Sequence, residues 1–185
     1  MALTESNMLP LGTKAPDFEL IDTVSGQLMR LEDLKSDKAT LIMFICNHCP
    51  YVIHIHEEMK RLAADYQAKG VAFIAISSND VVHYPADSPE KMKELAQQLP
   101  MTYPYLYDET QEVAKKYDAA CTPDFYVLDK DLVLQYRGRL CASRPKTDVP
   151  VTGKDLRTAI DAILSGEAVD PRQYPSAGCN IKWKK

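Results

Sequence analysis

The chain has 185 residues, with 22 Lys+Arg against 26 Asp+Glu for a formal charge of −4, and it is 45% hydrophobic and 26% charged. A chain of this length and composition suits one globular domain that needs no disulfide staples, and ordinary apolar content speaks against disorder. The mildly acidic balance argues against nucleic acid as a partner, because neutralising phosphate takes a basic surface. The longest apolar run, Leu41 to Cys46, is far short of the ~20 residues that a membrane span needs.

Met1 to Lys14 carries Glu5 early and no apolar stretch of leader length, so the expectation is a cytoplasmic protein with no membrane partner. Thiols are kept reduced in that compartment. The five cysteines, an odd number, therefore read as catalytic, metal-binding or buried residues rather than a static disulfide framework.

Taken in chain order, Ala15 to Leu20 and Leu28 to Leu31 are short extended pieces separated by a turn at Ser25-Gly26. Thr40 to Ile45 is a continuous apolar run of strand length, as a strand buried on both faces requires. Pro50 suits the first turn of a helix, and Val52, Ile55, Met59, Leu62 and Tyr66 give that helix one apolar face up to Gly70. Val71 to Ser77 is a second buried strand. Ser88-Pro89-Glu90 reads as cap, first-turn proline and first-turn acid of a helix to about Leu99. A short helix over Glu112 to Tyr117 precedes strands at Phe125 to Leu128 and Leu132 to Tyr136, joined by a turn at Asp129-Lys130-Asp131. Thr152 caps a last helix that Gly166 closes.

The domain is thus expected over 1–166, with an extended, aperiodic C-terminal tail over 167–185 lying on it and a solvated basic end, Lys182 to Lys185. Alternating strands and helices followed by a late hairpin predict an α/β fold of three layers with a mixed central sheet.

The chemistry concentrates in Cys46-Asn47-His48-Cys49-Pro50, where a buried strand gives way to a helix. Two cysteines in C-x-x-C spacing can close a small disulfide ring. The helix N-terminus favours an anion at Cys46, and a protonated His48 would lower that thiol's pKa further. The thiolate is the nucleophile of disulfide exchange, which gives the placement a mechanistic reason. Zinc is a competing reading. However, His54 and His56 are two apart and would point about 200° away from each other on a helix, and no second C-x-x-C is present. No metal and no cofactor are expected. Inert packing of both cysteines is the other alternative.

Gly12-Thr13-Lys14-Ala15-Pro16-Asp17-Phe18, the C-x-x-C junction and Cys121-Thr122-Pro123-Asp124 together resemble the thioredoxin-like redoxins, in the branch of alkyl hydroperoxide reductases and thiol-specific antioxidants. The likeness runs from about Gly12 to Ser165. Within the branch, Cys-Asn-His-Cys-Pro-Tyr and the ending Gly178 to Trp183 resemble a thioredoxin-like subgroup without assigned function. The resemblance implies a thioredoxin fold with an N-terminal extension, Cys46 as attacking cysteine, Cys49 as resolving cysteine and Pro123 as a cis-proline facing them. A cis X–Pro bond costs only about 0.5–1 kcal/mol, and a bend there would let the Thr122 main chain pair with an extended substrate, with Asn47 beside it.

Peroxidases of the branch use a P-x-x-x-T/S-x-x-C pattern. Counted back from Cys46, the proline and hydroxyl positions hold Ala39 and Met43; counted back from Cys49, they hold Ile42 and Cys46. Neither register fits. Arg137 and Arg139 are the candidate guanidinium donors. Dithiol–disulfide exchange with protein or small-molecule thiols and disulfides, supported by an external thiol reductant, ranks first. Peroxide reduction and a redox-sensing or partner-binding module are the alternatives. Cys121 and Cys179 are possible additional redox thiols, and Cys141 has no motif around it.

Overall fold

All six residues of the strand β4 (Ala39–Phe44) are buried, and their alternation decides the architecture. Successive side chains of a strand point to opposite faces, so Leu41 and Met43 enter one core and Ile42 and Phe44 another. The computed structural model describes residues 3–185.

The main sheet has seven strands, and its order follows from β4 outward. On one side β4 pairs in parallel with β5 (Val71–Ser77), which pairs in parallel with β6 (Tyr105–Tyr107). Beyond β6 lie the antiparallel β2 (Glu19–Asp22) and β3 (Leu28–Arg30). On the other side β4 pairs antiparallel with β8 (Asp124–Asp129), which pairs with β9 (Leu134–Gly138). One face is covered by α2 (Pro50–Ile53), α3 (His56–Gln67), α4 (Pro89–Gln98) and α6 (Lys154–Leu164), whose Val52, Leu62, Met92 and Leu156 join Leu41 and Met43. The other face packs Leu31 of α1 (Leu31–Leu34) and Val113 and Ala114 of α5 (Glu112–Lys116) against Ile42 and Phe44. The mixed sheet between helical layers is the arrangement expected from the sequence.

Local signals hold well where the chemistry is strong. Ser88 Oγ accepts from Lys91 N at 3.4 Å and caps α4 ahead of Pro89. The long helix expected from Pro50 is instead two, α2 and α3, separated at His54 and Ile55, with Ile55 at φ −107°, ψ 3°. Val52, Ile53 and Ile55 place three β-branched residues within four positions, and these lose side-chain freedom in a continuous helix. The N-cap of α6 is Gly153, not Thr152, whose hydroxyl accepts from Lys154 N at 3.3 Å just outside the helix.

The segment after Gly166 lies extended on the domain, and part of it is more regular than its aperiodic sequence announces. It holds a strand, β10 (Ala177–Asn180), the middle member of a small antiparallel sheet between β1 (Leu3–Glu5) and β7 (Cys121–Thr122). Nor is its basic end simply solvated. Lys182 is buried, its Nζ donating to the Asn180 carbonyl at 2.9 Å and to Asn180 Oδ1 at 2.8 Å. Among the described residues no helix is long and apolar enough to cross a membrane.

Candidate active site

Cys46 follows the last residues of β4, and Cys49 is the N-cap of α2, its carbonyl accepting from Val52 N and Ile53 N at 3.0 Å. The loop between them is fixed from below by Asp87. Its Oδ1 accepts from Asn47 N at 2.8 Å, and its Oδ2 accepts from Asn79 Nδ2 at 2.8 Å and meets His48 Nδ1 at 2.7 Å. Asn47 is held at its other end too, its Nδ2 donating to the Ala86 carbonyl at 2.9 Å and its Oδ1 accepting from Tyr105 OH at 3.0 Å. The His48 ring stacks on Tyr84, with centroids 5.6 Å apart.

Opposite the loop, the Thr122–Pro123 peptide is cis and Thr122 touches both sulfurs. Its Oγ1 lies 3.5 Å from Cys46 Sγ, and its carbonyl oxygen accepts from Cys49 Sγ at 3.2 Å. The structure therefore brings together Cys46, Cys49, Thr122 and Pro123, with Asn47 and His48 on the loop. Cys179 joins them from β10. It stands opposite Thr122 in the strand register, the residue whose carbonyl oxygen receives the Cys49 thiol. Cys121, one residue before Thr122, donates instead to the Pro123 carbonyl at 3.8 Å. Cys141 is buried on the loop after β9.

The two thiols shift in opposite directions. When Cys46 donates to Cys49, that bond raises Cys46, and burial and the negative Asp87 raise it further. The same bond pulls Cys49 down against the cost of burial, helped by donors from Cys179 and Thr122. Thr122 supports the opposite placement as well. A proton on Cys49 satisfies the Thr122 carbonyl, and the Thr122 hydroxyl then donates to a Cys46 thiolate. One residue thus serves both ends of the transfer.

These shifts reverse the expectation of a lowered Cys46 thiol, for Cys46 is raised and Cys49 is the lowered partner. A helix dipole is a sum over aligned peptides, and α2 contributes only four residues. The charge on His48 is matched by Asp87 rather than by a thiolate. The hydrogen bond to Asp87 raises the His48 pKa. Burial pushes the Asp87 carboxyl up, but the bonds from His48 and Asn79 outweigh it and hold Asp87 below its ordinary range. Asp87 carries no motif and sits 41 positions beyond Cys46. The only trace of it in the sequence is its place just before the Ser88-Pro89 helix start.

Atoms of Cys46, His48 and Asp87 lie within 4.8 Å of one another, a set able to ligate a metal, although here imidazole and carboxylate bond to each other. The arginines considered for thiolate stabilisation are engaged elsewhere. Arg137 donates to the Leu9 carbonyl at 2.8 Å and Arg139 to Asp155 at 2.6 Å. The Thr122 edge expected to receive an extended substrate is paired with β10 of the same chain.

A model of the AhpC/TSA family matches residues 11–137. The chain is similar to an uncharacterized conserved protein from Geobacillus kaustophilus, with 60% identity, TM-score 0.98, and 100% of this chain and 97% of that one covered. It is also similar to a hypothetical protein from Sinorhizobium meliloti 1021, with 44% identity, TM-score 0.95 and 98% of each chain covered. At 17% identity and TM-score 0.63, the thiol:disulfide interchange protein of the thioredoxin family from Chlorobium tepidum TLS shares the fold over 83% of this chain and 97% of its own. A search of curated proteins finds no match.

Proposed function

Because the chain belongs to the AhpC/TSA family, we propose that it is a thiol–disulfide oxidoreductase in which Cys46 and Cys49 cycle between dithiol and disulfide. The observation that carries this reading is Thr122, with its hydroxyl 3.5 Å from one sulfur and its carbonyl 3.2 Å from the other. Passing the Cys46 proton to Cys49 leaves Cys46 as the thiolate nucleophile. Cys46 attacks a substrate disulfide, one substrate thiolate departs, and a mixed disulfide forms. Cys49 then gives its proton to that leaving thiolate and attacks Cys46, which expels the second substrate sulfur as a thiolate that takes its proton from solvent. Two electrons pass to the substrate, and the enzyme keeps a Cys46–Cys49 disulfide. An external thiol reductant reverses the sequence in the reducing cytoplasm. An extended protein substrate takes the place of β10 along Thr122 rather than adding beside it.

Peroxide chemistry ranks below exchange, since Ala39 and Met43 supply neither the proline nor the hydroxyl of the peroxidase pattern. The test is the Cys49→Ser variant, which lacks the resolving thiol and should remain covalently tied to its partner through Cys46. Mass spectrometry of adducts captured from a lysate reads the result. Protein or low-molecular-weight disulfide adducts that vanish on adding Cys46→Ser support the proposal. Adducts that survive Cys46→Ser, or sulfenic acid at Cys46 as the sole product, overturn it.

A further inference from the structure

The strand β10 already does to Thr122 what an extended substrate would do, and it carries a cysteine. Cys179 faces Thr122 across the antiparallel ladder. Gly178 lets the two backbones close, because a Cβ there would sit 1.9 Å from the Thr122 carbonyl oxygen. That same oxygen receives the Cys49 thiol. Cys46, Cys49 and Cys179 fall in one buried cluster, and Cys49 and Cys179 each perturb the other's acidity. A buried thiol on a strand laid where a substrate would lie, paired with the residue that holds the Cys49 sulfur, has the geometry of a reactant.

We propose that Cys179 is a third redox thiol of this site, exchanging with Cys49 within the same chain. The inference rests on the dithiol–disulfide reading above. Oxidation of the pair leaves a Cys46–Cys49 disulfide. Cys179 loses its proton and attacks the Cys49 sulfur. A Cys49–Cys179 bond forms, the Cys46–Cys49 bond breaks, and the electron pair leaves on Cys46, which takes up the proton that Cys179 gave. Nothing is oxidised or reduced overall; the disulfide moves from Cys46 to Cys179. Cys46 returns to the thiol form, and β10 becomes tied covalently across the Thr122 edge. Burial and the neighbouring Cys49 push the Cys179 thiol up to about 12.

Trypsin separates the partners cleanly. Cys46 and Cys49 lie together in the peptide Ala39 to Lys60, and Cys179 lies in Gln173 to Lys182. Folded wild-type protein is oxidised with diamide, its remaining thiols are alkylated, and the digest is read by mass spectrometry. The expected product is a cross-link between these two peptides, with Cys46 alkylated. It should become the main disulfide in Cys46→Ser and be lost in Cys179→Ser, with unfolding curves confirming that both variants fold. An internal Cys46–Cys49 disulfide with no such cross-link, in wild type and in Cys46→Ser alike, overturns the role of Cys179 and leaves the oxidoreductase reading standing. Failure to form either disulfide overturns both.

Discussion

Asp87 Oδ2 stands 2.7 Å from His48 Nδ1, and this contact joins the loop between the cysteines to a carboxylate 39 positions away. Replacing Asp87 with Asn removes the charge while keeping an acceptor. The His48 pKa should fall toward the ordinary ~6.5, read by NMR titration of its ring protons. Cys46 should become more acidic, read as a shift of its alkylation–pH profile to lower pH, because the nearby negative charge raises it in the native protein. The signs fix where the pair stabilises the fold. Asp87 is depressed, so its contribution is full above ~3.9 and is lost as pH falls through the depressed value. His48 is raised, so its contribution is full below ~6.5 and is lost as pH rises through the raised value. An unchanged His48 titration in Asp87→Asn would show that the ion pair does not exist in solution.

Thr122→Val keeps the branched shape and deletes the hydroxyl 3.5 Å from Cys46 Sγ. A hydrogen bond to a charged group contributes about 1.5–3 kcal/mol. Taking the low end for a long bond to sulfur, the iodoacetamide rate at Cys46 should drop roughly tenfold at fixed pH. The Thr122 carbonyl that meets Cys49 is untouched by the change. A rate equal to wild type would remove the hydroxyl from the mechanism.

Gly178→Ala forces β10 off its seat, since the added carbon would lie 1.9 Å from the Thr122 oxygen, a backbone atom with no freedom to yield. Overpacking of this kind costs typically 1–3 kcal/mol. Denaturant unfolding should show that loss, and labelling of Cys46 and Cys49 in the native state should accelerate. Stability lost without faster labelling would mean that β10 does not control access to the sulfurs.

Asp124 follows Pro123 and is fully buried, and burial raises its carboxyl to about 7 despite bonds from Ser6 Oγ at 2.8 Å and Tyr126 OH at 3.0 Å. Its ordinary pKa is ~3.9, so between these values the folded state binds more protons than the unfolded one. Stability therefore falls as pH rises from about 4 to about 7, by a few kcal/mol in order of magnitude. Asp124→Asn should flatten that slope. Urea unfolding at about pH 5 and about pH 8 compares the two proteins, and parallel losses in both would exclude Asp124 as the source.

The residues of the site differ in how far the sequence announces them. Cys46 and Cys49 are visible because spacing and the strand–helix junction are local features, and Pro123 through its resemblance to the redoxins. Asp87 is not, and Cys179 is visible only as a candidate thiol, without its place at the site. Asp87 reaches the loop because β4 and β5 run side by side, so the segments after them meet at one end of the sheet, and no short window of sequence contains that. The strand β10 is made of Ala177, Gly178, Cys179 and Asn180, three of them small and none a strong strand former. Its conformation comes from a close backbone approach, which periodicity does not register.

Asn79 gives these parts a mechanical connection. Its side-chain Nδ2 donates to Asp87 Oδ2 at 2.8 Å, and its Oδ1 accepts from Lys182 N at 2.8 Å. A single amide therefore latches the floor of the cysteine loop to Lys182, two residues beyond the strand that roofs it. Peeling β10 away together with Lys182 strips Asn79 of one bond and frees it to rotate, which slackens its grip on Asp87 and, through Asp87, on Asn47 and His48. Roof and floor let go in concert, so the sulfurs gain mobility at the moment they gain exposure.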